Sequence, residues 1–361
     1  MSLFEKYLSY FMALKRITEG KITLLVPEGE ELTKKMSTFY NPEMKFDRNL
    51  SEAIISTLKP KKVADCMCAS GVRGLRYKSA LPDSEVILND LNPKAIELAR
   101  KNAAENNLEV KFENQDLNMF LGSYLFDFID IDPFGSPIYF LDAAAGSIRN
   151  NGVVAITATD TAALCGTSPK ACLRRYGIKS LRTDFMKELG LRIIISSSIK
   201  TFSKYDIAYE PIFSYSRRHY FRVFGQIKRG AQKTDSLLEK FDFVSYCQKC
   251  GWRETGYLKE CEICKGKTNI SGPVYLDNFA SPQFCAQILK SLEGKQKKFA
   301  ETVKDDQGYP FYFNVHRICK LNRKKIRPTE ELLKDLKGVR THFEGTGIKS
   351  KKSFKEILRL L

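Results

Sequence analysis

An acid, a proline and an aromatic ring follow one another in the run Asp130-Ile-Asp-Pro-Phe-Gly135. The carboxylate of Asp132 can accept hydrogen bonds from an exocyclic NH2 group, and Phe134 offers a stacking face. The run follows an apolar stretch, residues 124–129, that is typical of a buried parallel strand. It would then lie at a strand's carboxyl end, where open α/β sheets bind ligands. The pattern indicates a binding site for a planar ring that carries an amino group. The alternative is a plain strand-to-helix turn.

A second candidate site is the turn after the first expected strand, which runs Asp65-Cys-Met-Cys-Ala-Ser-Gly-Val-Arg-Gly74. Its two glycines would let backbone approach a ligand, although two glycines also occur in purely structural turns. Arg73 could bind a carboxylate through two hydrogen bonds, or it could simply be solvated. Asp90 ends the second expected strand, where an acid can hold both hydroxyls of a ribose. Asp116 follows the third strand and could accept from an adenine amino group.

Four cysteines form two pairs, Cys247-Gln-Lys-Cys250 and Cys261-Glu-Ile-Cys264, that are separated by ten residues. Each pair puts two thiolates on one side of a metal, and two such pairs complete a tetrahedron around zinc. Four protein ligands leave no open position, so this spacing predicts a structural zinc. Redox disulfides are the alternative, but no βαβ pattern surrounds the pairs. The other six cysteines are scattered and are expected to be small core residues.

The elements that would position these residues alternate between strand and helix. Strands are expected at residues 62–67, 85–90, 110–112, 126–132 and 152–159, with helices at 73–79, 93–106, 137–149, 169–176 and 182–189. Strands at 191–200 and 220–228 would complete the series and could pair antiparallel, because only a loop region separates them. Seven strands with a final antiparallel one resemble the Rossmann-like fold of class I S-adenosylmethionine-dependent methyltransferases. An ordinary dinucleotide-binding dehydrogenase is the alternative.

The composition changes after about residue 230, where cysteine pairs and lysine-rich segments replace the alternation of strand and helix. A chain of 361 residues also exceeds what one hydrophobic core usually serves. We therefore predict a methyltransferase-like domain over residues 1–230, which includes an N-terminal extension. A smaller α+β domain over residues 231–361 would carry the zinc ribbon at 247–264.

The formal net charge of +17 and the pI of about 9.3 favour a polyanionic partner, most simply nucleic acid. Residues 320–361 hold 13 Lys and Arg against 5 Asp and Glu, which makes this segment a candidate RNA-binding face. It includes the basic runs 324–327 and 349–352. The run 215–222 interleaves aromatic and basic residues, a pattern suited to structured RNA. Its alternative places Tyr220 and Phe221 in the core, with the arginines as a solvated face.

Signals for membrane insertion and secretion are lacking in the sequence. No apolar run approaches the ~20 residues of a membrane span. The first eight residues carry charges too early for a signal peptide. Ten cysteines without a secretion signal indicate a reducing compartment. These features predict a cytoplasmic protein without a membrane partner, and we expect a monomer.

A series of short motifs extends over nearly the whole chain. They are Phe39-Tyr-Asn-Pro-Glu-Met44 with Arg48, Ala69-Ser-Gly-Val-Arg-Gly74, Asn89-Asp90, Asp130-Ile-Asp-Pro-Phe-Gly-Ser-Pro137, Thr157-Ala-Thr-Asp160, Leu164-Cys-Gly166, Arg340-Thr-His-Phe343 and Gly347-Ile-Lys349. In this order they closely resemble the tRNA guanine-26 N2-dimethyltransferases of archaea and eukaryotes. The resemblance implies a two-domain enzyme that uses S-adenosylmethionine to methylate the exocyclic N2 of guanosine-26 in tRNA, giving N2-methyl- and N2,N2-dimethylguanosine.

The resemblance also assigns roles to single residues. It implies that the methyl donor is held by Arg48, Arg73, Asp90, Asp116 and the backbone at Leu117. Asp132 would accept a hydrogen bond from guanine N2 and take its proton, while Phe134 would position the ring by stacking. Asn49 follows Arg48 where the family commonly has Asp, so the local support of Arg48 is open.

Two rival functions remain on the sequence alone. One is an amino-methyltransferase that acts on another base, in ribosomal RNA or DNA. The other is a zinc-ribbon RNA-binding protein that keeps a vestigial Rossmann domain. The presence of Asp90 and Asp132 together with both arginines argues against a loss of activity. Mono- and dimethylated products are not distinguished, because both steps use the same groups.

Overall fold

The computed structural model describes residues 14–28 and 38–361 of the chain. The first elements are β1 (Leu14–Glu19), β2 (Ile22–Pro27), α1 (Lys45–Leu58), β3 (Lys62–Asp65), α2 (Val72–Ala80), β4 (Glu85–Asn89), α3 (Pro93–Glu105), β5 (Lys111–Glu113), α4 (Leu117–Gly122) and β6 (Phe126–Ile131). The middle elements are α5 (Leu141–Ser147), β7 (Ile148–Ala158), α6 (Thr161–Leu164), α7 (Pro169–Tyr176), α8 (Met186–Ser203), β8 (Ile207–Arg217) and β9 (Tyr220–Arg229). The last are α9 (Ala231–Leu238), β10 (Phe241–Tyr246), β11 (Arg253–Thr255), β12 (Asn269–Tyr275), α10 (Pro282–Ile288), α11 (Gly294–Asp305), β13 (Phe313–Asn314), α12 (Val315–Asn322), α13 (Thr329–Asp335), β14 (Val339–Arg340), β15 (Gly347–Lys349) and α14 (Phe354–Leu360).

Seven strands form one mixed sheet in the order β5-β4-β3-β6-β7-β9-β8. β3 pairs in parallel with β4 and β6, and β4 pairs in parallel with β5, as helical connections require. β9 runs antiparallel to both β7 and β8. The predicted Rossmann-like sheet with a final antiparallel strand is therefore confirmed.

Internal contacts divide the chain into two compact units. One comprises the described residues up to Asp132 together with Gly146–Gly152, and the other comprises Pro133–Ala145 together with Val153–Leu361. The domain boundary near residue 230, which rests on the change in composition, stays a prediction.

The β1–β2 hairpin is fixed to α3 by two asparagine side chains. Asn102 Oδ1 accepts from the N–H of Leu25 at 2.6 Å, and its NH2 donates to the Leu25 carbonyl at 3.0 Å. Asn106 repeats this exchange with Thr23 at 2.8 and 2.6 Å. A side-chain amide offers the same donor and acceptor as a peptide group, so the two asparagines substitute for a neighbouring strand. The hairpin, which sequence reasoning missed, places Glu19 against α1.

The helices that frame the sheet begin where local chemistry favours a start. Asn92 accepts from the N–H of Lys94 at 3.1 Å, and Pro93 occupies the first position of α3. α2 begins after Gly71, whose φ is +78°, and a Cβ at this position would lie 3.0 Å from the Cβ of Ala99. Gly71 is therefore required by the turn and by the close packing of α2 on α3.

The segment predicted as a strand at residues 191–200 is part of the long helix α8, so that prediction is wrong. α8 is buried on nearly all sides, and a helix in such surroundings shows no amphipathic period. Three consecutive serines at 196–198 donate to backbone carbonyls four residues earlier, at 2.5, 3.0 and 2.9 Å. These bonds satisfy the hydroxyls within the helix. The strand itself is β8, which lies in the stretch expected to be a loop.

The aromatic and basic run at 215–222 forms the turn of the β8–β9 hairpin, and not one continuous strand. Tyr220 and Phe221 are buried, and so is Arg222. The alternative that placed Tyr220 and Phe221 in the core is correct for these rings, which are not exposed for stacking on RNA, but it is wrong for Arg222, which does not belong to a solvated face. Arg218, at the tip of the hairpin, is exposed.

The C-terminal part is built from short strands and helices, as expected for an α+β arrangement. One three-stranded antiparallel sheet has the order β11-β10-β12, and a second has the order β13-β15-β14. Among the described residues, no helix is long and apolar enough to cross a bilayer. The first eight residues, on which the prediction about secretion rests, lie outside the described ranges.

Candidate active site and metal centre

Arg73 is buried at the start of α2 and contacts several carboxylates. Its Nη1 lies 2.8 Å from Asp47 Oδ2, its Nη2 donates to Asp132 Oδ2 at 2.5 Å, and its Nε lies 3.9 Å from Asp130. Burial opposes the charge, but the three acids hold the pKa of Arg73 well above its usual value. The sequence predicted that Arg73 binds the carboxylate of the methyl donor, which stays a prediction, and it missed the ion pairs of Arg73 with acids of the chain.

One of these three acids, Asp130, and a further acid, Asp65, are buried in the core. Asp130 accepts from the hydroxyl of Tyr77 at 2.6 Å, and Asp65 accepts from the N–H of Gly74 at 2.8 Å. Burial and the neighbouring Asp130 raise the pKa of Asp65 to about 7, against the opposite effect of Arg73. The site therefore contains a carboxyl group that titrates near neutral pH.

The cysteines of the turn between β3 and α2 have the character of core residues. Burial raises the pKa of Cys66 and that of Cys68 well above the ordinary thiol value, and nearby carboxylates add to the effect. A neutral buried thiol is a weak nucleophile. This agrees with the expectation that the scattered cysteines are structural.

Asp90 and Asp116 lie at the carboxyl ends of β4 and β5. Asp90 accepts from the N–H groups of Ala69 and Asn92, both at 2.9 Å. Asp116 is exposed and caps α4 by accepting from the N–H of Asn118 at 2.9 Å. Burial raises the pKa of Asp90 while the two N–H groups lower it. Both acids thus end up at one edge of the sheet, as the sequence predicted.

The side chain of Asn89 holds the loops of these two acids together. Its NH2 donates to the carbonyls of Cys66 and Gln115 at 3.2 Å each, and its Oδ1 accepts from the Gln115 N–H at 3.1 Å. Leu117, the residue after Asp116, is buried at the start of α4. Local pattern marks Asn89 only as the neighbour of Asp90, and its bridging role was missed.

Arg48 is buried and is held by an acid that sequence reasoning missed. Its Nε and Nη2 donate to the two carboxylate oxygens of Glu19 at 2.6 Å each, and Nη2 also reaches the carbonyl of Asn41 at 3.1 Å. Burial would raise the pKa of Glu19, but Arg48 and Arg76 lower it to about 2. Asn49 accepts from Arg76 at 2.7 Å, so the departure from the family pattern bears on Arg76, and Glu19 supports Arg48.

The loop that contains Asp132 and Phe134 follows the carboxyl end of β6. The side chain of Asp132, the last residue of the first unit, is 26% exposed. Phe134 is 48% exposed. In the second unit, Gly135 donates its N–H to Thr159 Oγ1 at 2.7 Å and accepts from the Thr159 N–H at 2.9 Å. These two bonds fix the loop that carries Phe134 to the residue after β7.

Four cysteines converge after β10 and β11. The Sγ atoms of Cys247, Cys250, Cys261 and Cys264 all lie within 4.8 Å of one another. The Sγ atoms of Cys247 and Cys264, and those of Cys250 and Cys261, are 3.5 Å apart, and all four cysteines are free thiols. A zinc tetrahedron with bonds of about 2.3 Å has sulfur–sulfur edges of about 3.8 Å. The donor set and its spacing fit a structural zinc.

The cysteine cluster shares a core with the end of the chain. Cys247, Cys250 and Cys261 pack with Trp252 and with buried residues of the C-terminal segment, which are Phe313, Val315, Ile318, Cys319, Leu332, Leu336, Ile348, Phe354 and Ile357. A metal held there would stabilise the helices that carry the basic C-terminal residues.

Comparison with known proteins decides the family. A family model described as N2,N2-dimethylguanosine tRNA methyltransferase matches residues 17–361. The chain belongs to this family. A tRNA (guanine(26)-N(2)/guanine(27)-N(2))-dimethyltransferase of Aquifex aeolicus is 35% identical, with 95% of this chain and 94% of that protein covered. A tRNA (guanine(26)-N(2))-dimethyltransferase of Thermococcus kodakarensis is also 35% identical, with 95% and 97% covered.

A solved structure agrees with this assignment. The structure of Trm1 from Pyrococcus horikoshii in complex with S-adenosyl-L-methionine superimposes with a TM-score of 0.87 and 30% identity. The match covers 96% of this chain and 99% of that one. The family resemblance predicted from the motifs is therefore confirmed, and it extends over the C-terminal part as well.

Two motifs of this family member form a buried ionic cluster within the second unit. Lys349 is completely buried, donates to Glu188 at 3.1 Å and reaches the carbonyl of Asp306 at 2.9 Å. His342 lies 2.8 Å from the Asp306 carboxylate through Nδ1, and its Nε2 accepts from the N–H of Ser216. The predicted placement of Lys349 on an RNA-binding face is therefore wrong, because its side chain is completely buried beside Glu188 and Asp306.

Proposed function

We propose that the protein transfers methyl groups from S-adenosylmethionine to the exocyclic N2 of guanosine-26 in tRNA. One observation carries this proposal beyond family membership: Arg73 holds Oδ2 of Asp132 at the carboxyl end of β6. That bond leaves Oδ1 of Asp132 to accept from an amine. Open α/β sheets bind their ligands at this edge. The two rival functions, methylation of another base and RNA binding without catalysis, lack support of this kind.

Asp132 is the proposed catalytic base. The lone pair of guanine N2 is delocalised into the ring, so N2 is a poor nucleophile. A carboxylate that accepts from N2–H draws the nitrogen towards pyramidal geometry and takes its proton during or after transfer. Arg73 fixes the acceptor in one orientation, and a fixed acceptor places N2 at the distance and angle needed for in-line attack.

S-adenosylmethionine, when bound, supplies an electrophilic methyl group on its sulfonium. We propose that Asp90 accepts from its ribose hydroxyls and Asp116 from its adenine amine, with the backbone of Leu117 beside the base. Asp90 keeps acceptor capacity beyond its two backbone bonds, because a carboxylate has about four lone-pair sites. The hydrogen bonds of Arg48 to Glu19 leave its Nη1 to bind the donor's carboxylate.

Phe134 is proposed to position the guanine ring. A nucleotide within folded tRNA must leave its stack, at a cost of a few kcal/mol. The exposed ring of Phe134 would recover part of this cost by stacking. The bonds between Gly135 and Thr159 hold the loop that presents it.

The decisive experiment follows labelled methyl groups from S-adenosylmethionine into a tRNA transcript, with nucleoside mass spectrometry of the product. We expect N2-methyl- and N2,N2-dimethylguanosine at position 26 and none in a transcript in which adenosine replaces guanosine-26. Because the Aquifex aeolicus relative is named for positions 26 and 27, a second transcript replaces guanosine-27. Modification that persists in the first transcript but disappears from the second would contradict the proposed target.

We propose that the four cysteines hold a structural zinc and that the protein works as a cytoplasmic monomer. None of the ten cysteines forms a disulfide, which is typical of proteins in a reducing compartment such as the cytoplasm. Residues 1–230 and 231–361 are proposed as separately folding domains. Light scattering of the purified protein checks the oligomeric state, and expression of residues 1–230 alone checks the boundary.

A further inference from the structure

The segment from Thr161 to Thr183 carries five cations and no acidic residue. The cations are Lys170, Arg174, Arg175, Lys179 and Arg182, and all five are exposed. Among the described residues, only Arg175 of these five forms an ion pair, at 3.1 Å from Asp160. The other four cations form no ion pair with a described acid, so the segment keeps a net positive charge and creates a positive field.

This segment, which we name the α7 basic segment, has a defined place relative to the sheet. β7 ends at Ala158, and the chain continues through Asp160 into α6 and α7, so the segment follows the carboxyl end of β7. Leu173, on α7, is 51% exposed and adds an apolar surface among the cations. The segment thus begins close to the carboxyl end of β7.

Asp160 connects the α7 basic segment to the loop that carries Phe134. Its carboxylate accepts from the hydroxyl of Tyr176 at 2.7 Å and from Arg175, both at the end of α7. The preceding residue, Thr159, forms the two bonds to Gly135, next to Phe134. Asp160 and Thr159 thus connect α7 to the Phe134 loop. A ligand bound to α7 would therefore be held at a fixed distance from this loop, which would receive the target base.

We propose that the α7 basic segment binds the phosphate backbone of the tRNA beside the target nucleotide and so positions that nucleotide over the Phe134 loop. This inference rests on the proposed function and adds the surface that recognises the substrate. Lysines and arginines bind phosphates without reading sequence, so the segment supplies register and affinity, while base selection belongs to the pocket. Lys170 and Arg174, four residues apart on α7, share one helix face.

The test compares Lys170→Gln/Arg174→Gln with Lys233→Gln. Lys233 is an exposed lysine of α9, which follows the carboxyl end of β9. Because β9 runs antiparallel to β7, this end of β9 lies beside the amino end of β7, whereas α7 follows the carboxyl end of β7. Affinity for unmodified tRNA is measured over a series of salt concentrations, together with KM and kcat for methyl transfer and affinity for S-adenosylmethionine. All three proteins keep the full chain.

We expect the double variant to lower the slope of log affinity against log salt by about 0.9 for each duplex phosphate that it no longer neutralises. Its KM for tRNA should rise several-fold more than that of Lys233→Gln, with S-adenosylmethionine affinity unchanged. Equal slopes and equal KM values in the double variant and the control would overturn the inference. A wild-type protein that transfers no methyl to tRNA would instead overturn the proposed function, so the two failures are distinguishable.

Discussion

Nη2 of Arg73 donates to Oδ2 of Asp132 at 2.5 Å, while Nη1 of the same arginine is bound to the buried Asp47 at 2.8 Å. A guanidinium is a planar, rigid fork. Because Nη1 is held by Asp47 in the core, the position of Nη2 is also fixed, and with it the carboxylate of Asp132. The proposed base, Asp132, is therefore connected through Arg73 to a buried acid of the first unit. A substitution of Arg73 should alter the position of the Asp132 carboxylate.

Asp132→Asn should keep the fold and lose most methyl transfer. An amide accepts a hydrogen bond but cannot take the proton, and a general base contributes about 10²–10⁴-fold to rate. The measurement is kcat with saturating tRNA and S-adenosylmethionine. Asp83→Asn makes the same chemical change in an exposed turn and should leave kcat unaltered. Near-normal turnover in Asp132→Asn would exclude Asp132 as the base.

Arg73→Lys separates two roles for this arginine. If Arg73 positions Asp132, the lysine keeps a charge but loses the fork, and kcat should fall by about 10²-fold with little change in S-adenosylmethionine affinity. If Arg73 mainly binds the donor's carboxylate, titration calorimetry should show weaker S-adenosylmethionine binding instead. We expect the first outcome, because Nη2 of Arg73 donates directly to Oδ2 of Asp132.

Zinc should be present at about one ion per chain, and its removal should unfold the C-terminal core first. Metal binding stabilises the segment that it organises, and the four sulfurs share a core with residues 313–357. Hydrogen exchange after chelation should therefore rise in that segment and stay low in β3, β4 and α3. Cys165→Ser, outside the cluster, should retain the metal. Metal analysis that finds no zinc in protein purified without chelator would contradict the assignment.

The sequence was most informative where spacing alone determines chemistry. The cysteine pairs, the strand ends at Asp90 and Asp132 and the order of the motifs all depend on local pattern. The failures share a physical cause, which is burial. α8 lacks a helical period because it is surrounded by core, and Lys349 sits in a basic run although it is completely buried.

Partners far apart in the chain were also beyond local pattern. Glu19 lies 29 residues from Arg48, and a hairpin docked by two asparagines brings them together. Nothing in the residues around Arg48 indicates which acid will neutralise it, since that depends on the tertiary fold. The same holds for Asp47 and Arg73, which are joined by the packing of α1 on α2.

Stability should fall between about pH 4 and pH 7 because of Asp65. Its pKa is about 7 in the folded chain against 3.8 for the free side chain, so the folded state binds more protons in this window. Stability then decreases as pH rises, by up to about 1.4 kcal/mol per pH unit for one group. Urea denaturation at several pH values should show this slope reduced in Asp65→Asn, whose amide oxygen can still accept from Gly74. An unchanged slope would contradict the raised pKa.

Loss of charge should change the free energy of unfolding much more at Lys349 than at Lys324. Lys349 is buried against Glu188 and Asp306, and removing one partner of a buried ionic group typically costs about 3–5 kcal/mol. Lys324 is exposed, and exposed substitutions stay within about 0.5 kcal/mol. Lys349→Met should therefore lower the free energy of unfolding and leave the salt dependence of tRNA binding by the folded protein unchanged.

Lys324→Gln/Lys325→Gln tests the surviving part of the predicted C-terminal RNA face. Both side chains are exposed, so the fold should be unaffected. If they contact phosphates, the salt slope for tRNA binding should fall by about 0.9 per duplex phosphate, whereas Lys349→Met should give the wild-type slope. A double variant with the wild-type slope would show that these lysines are only solvated. A stable Lys349→Met variant would show that the buried cluster does not depend on this lysine's charge.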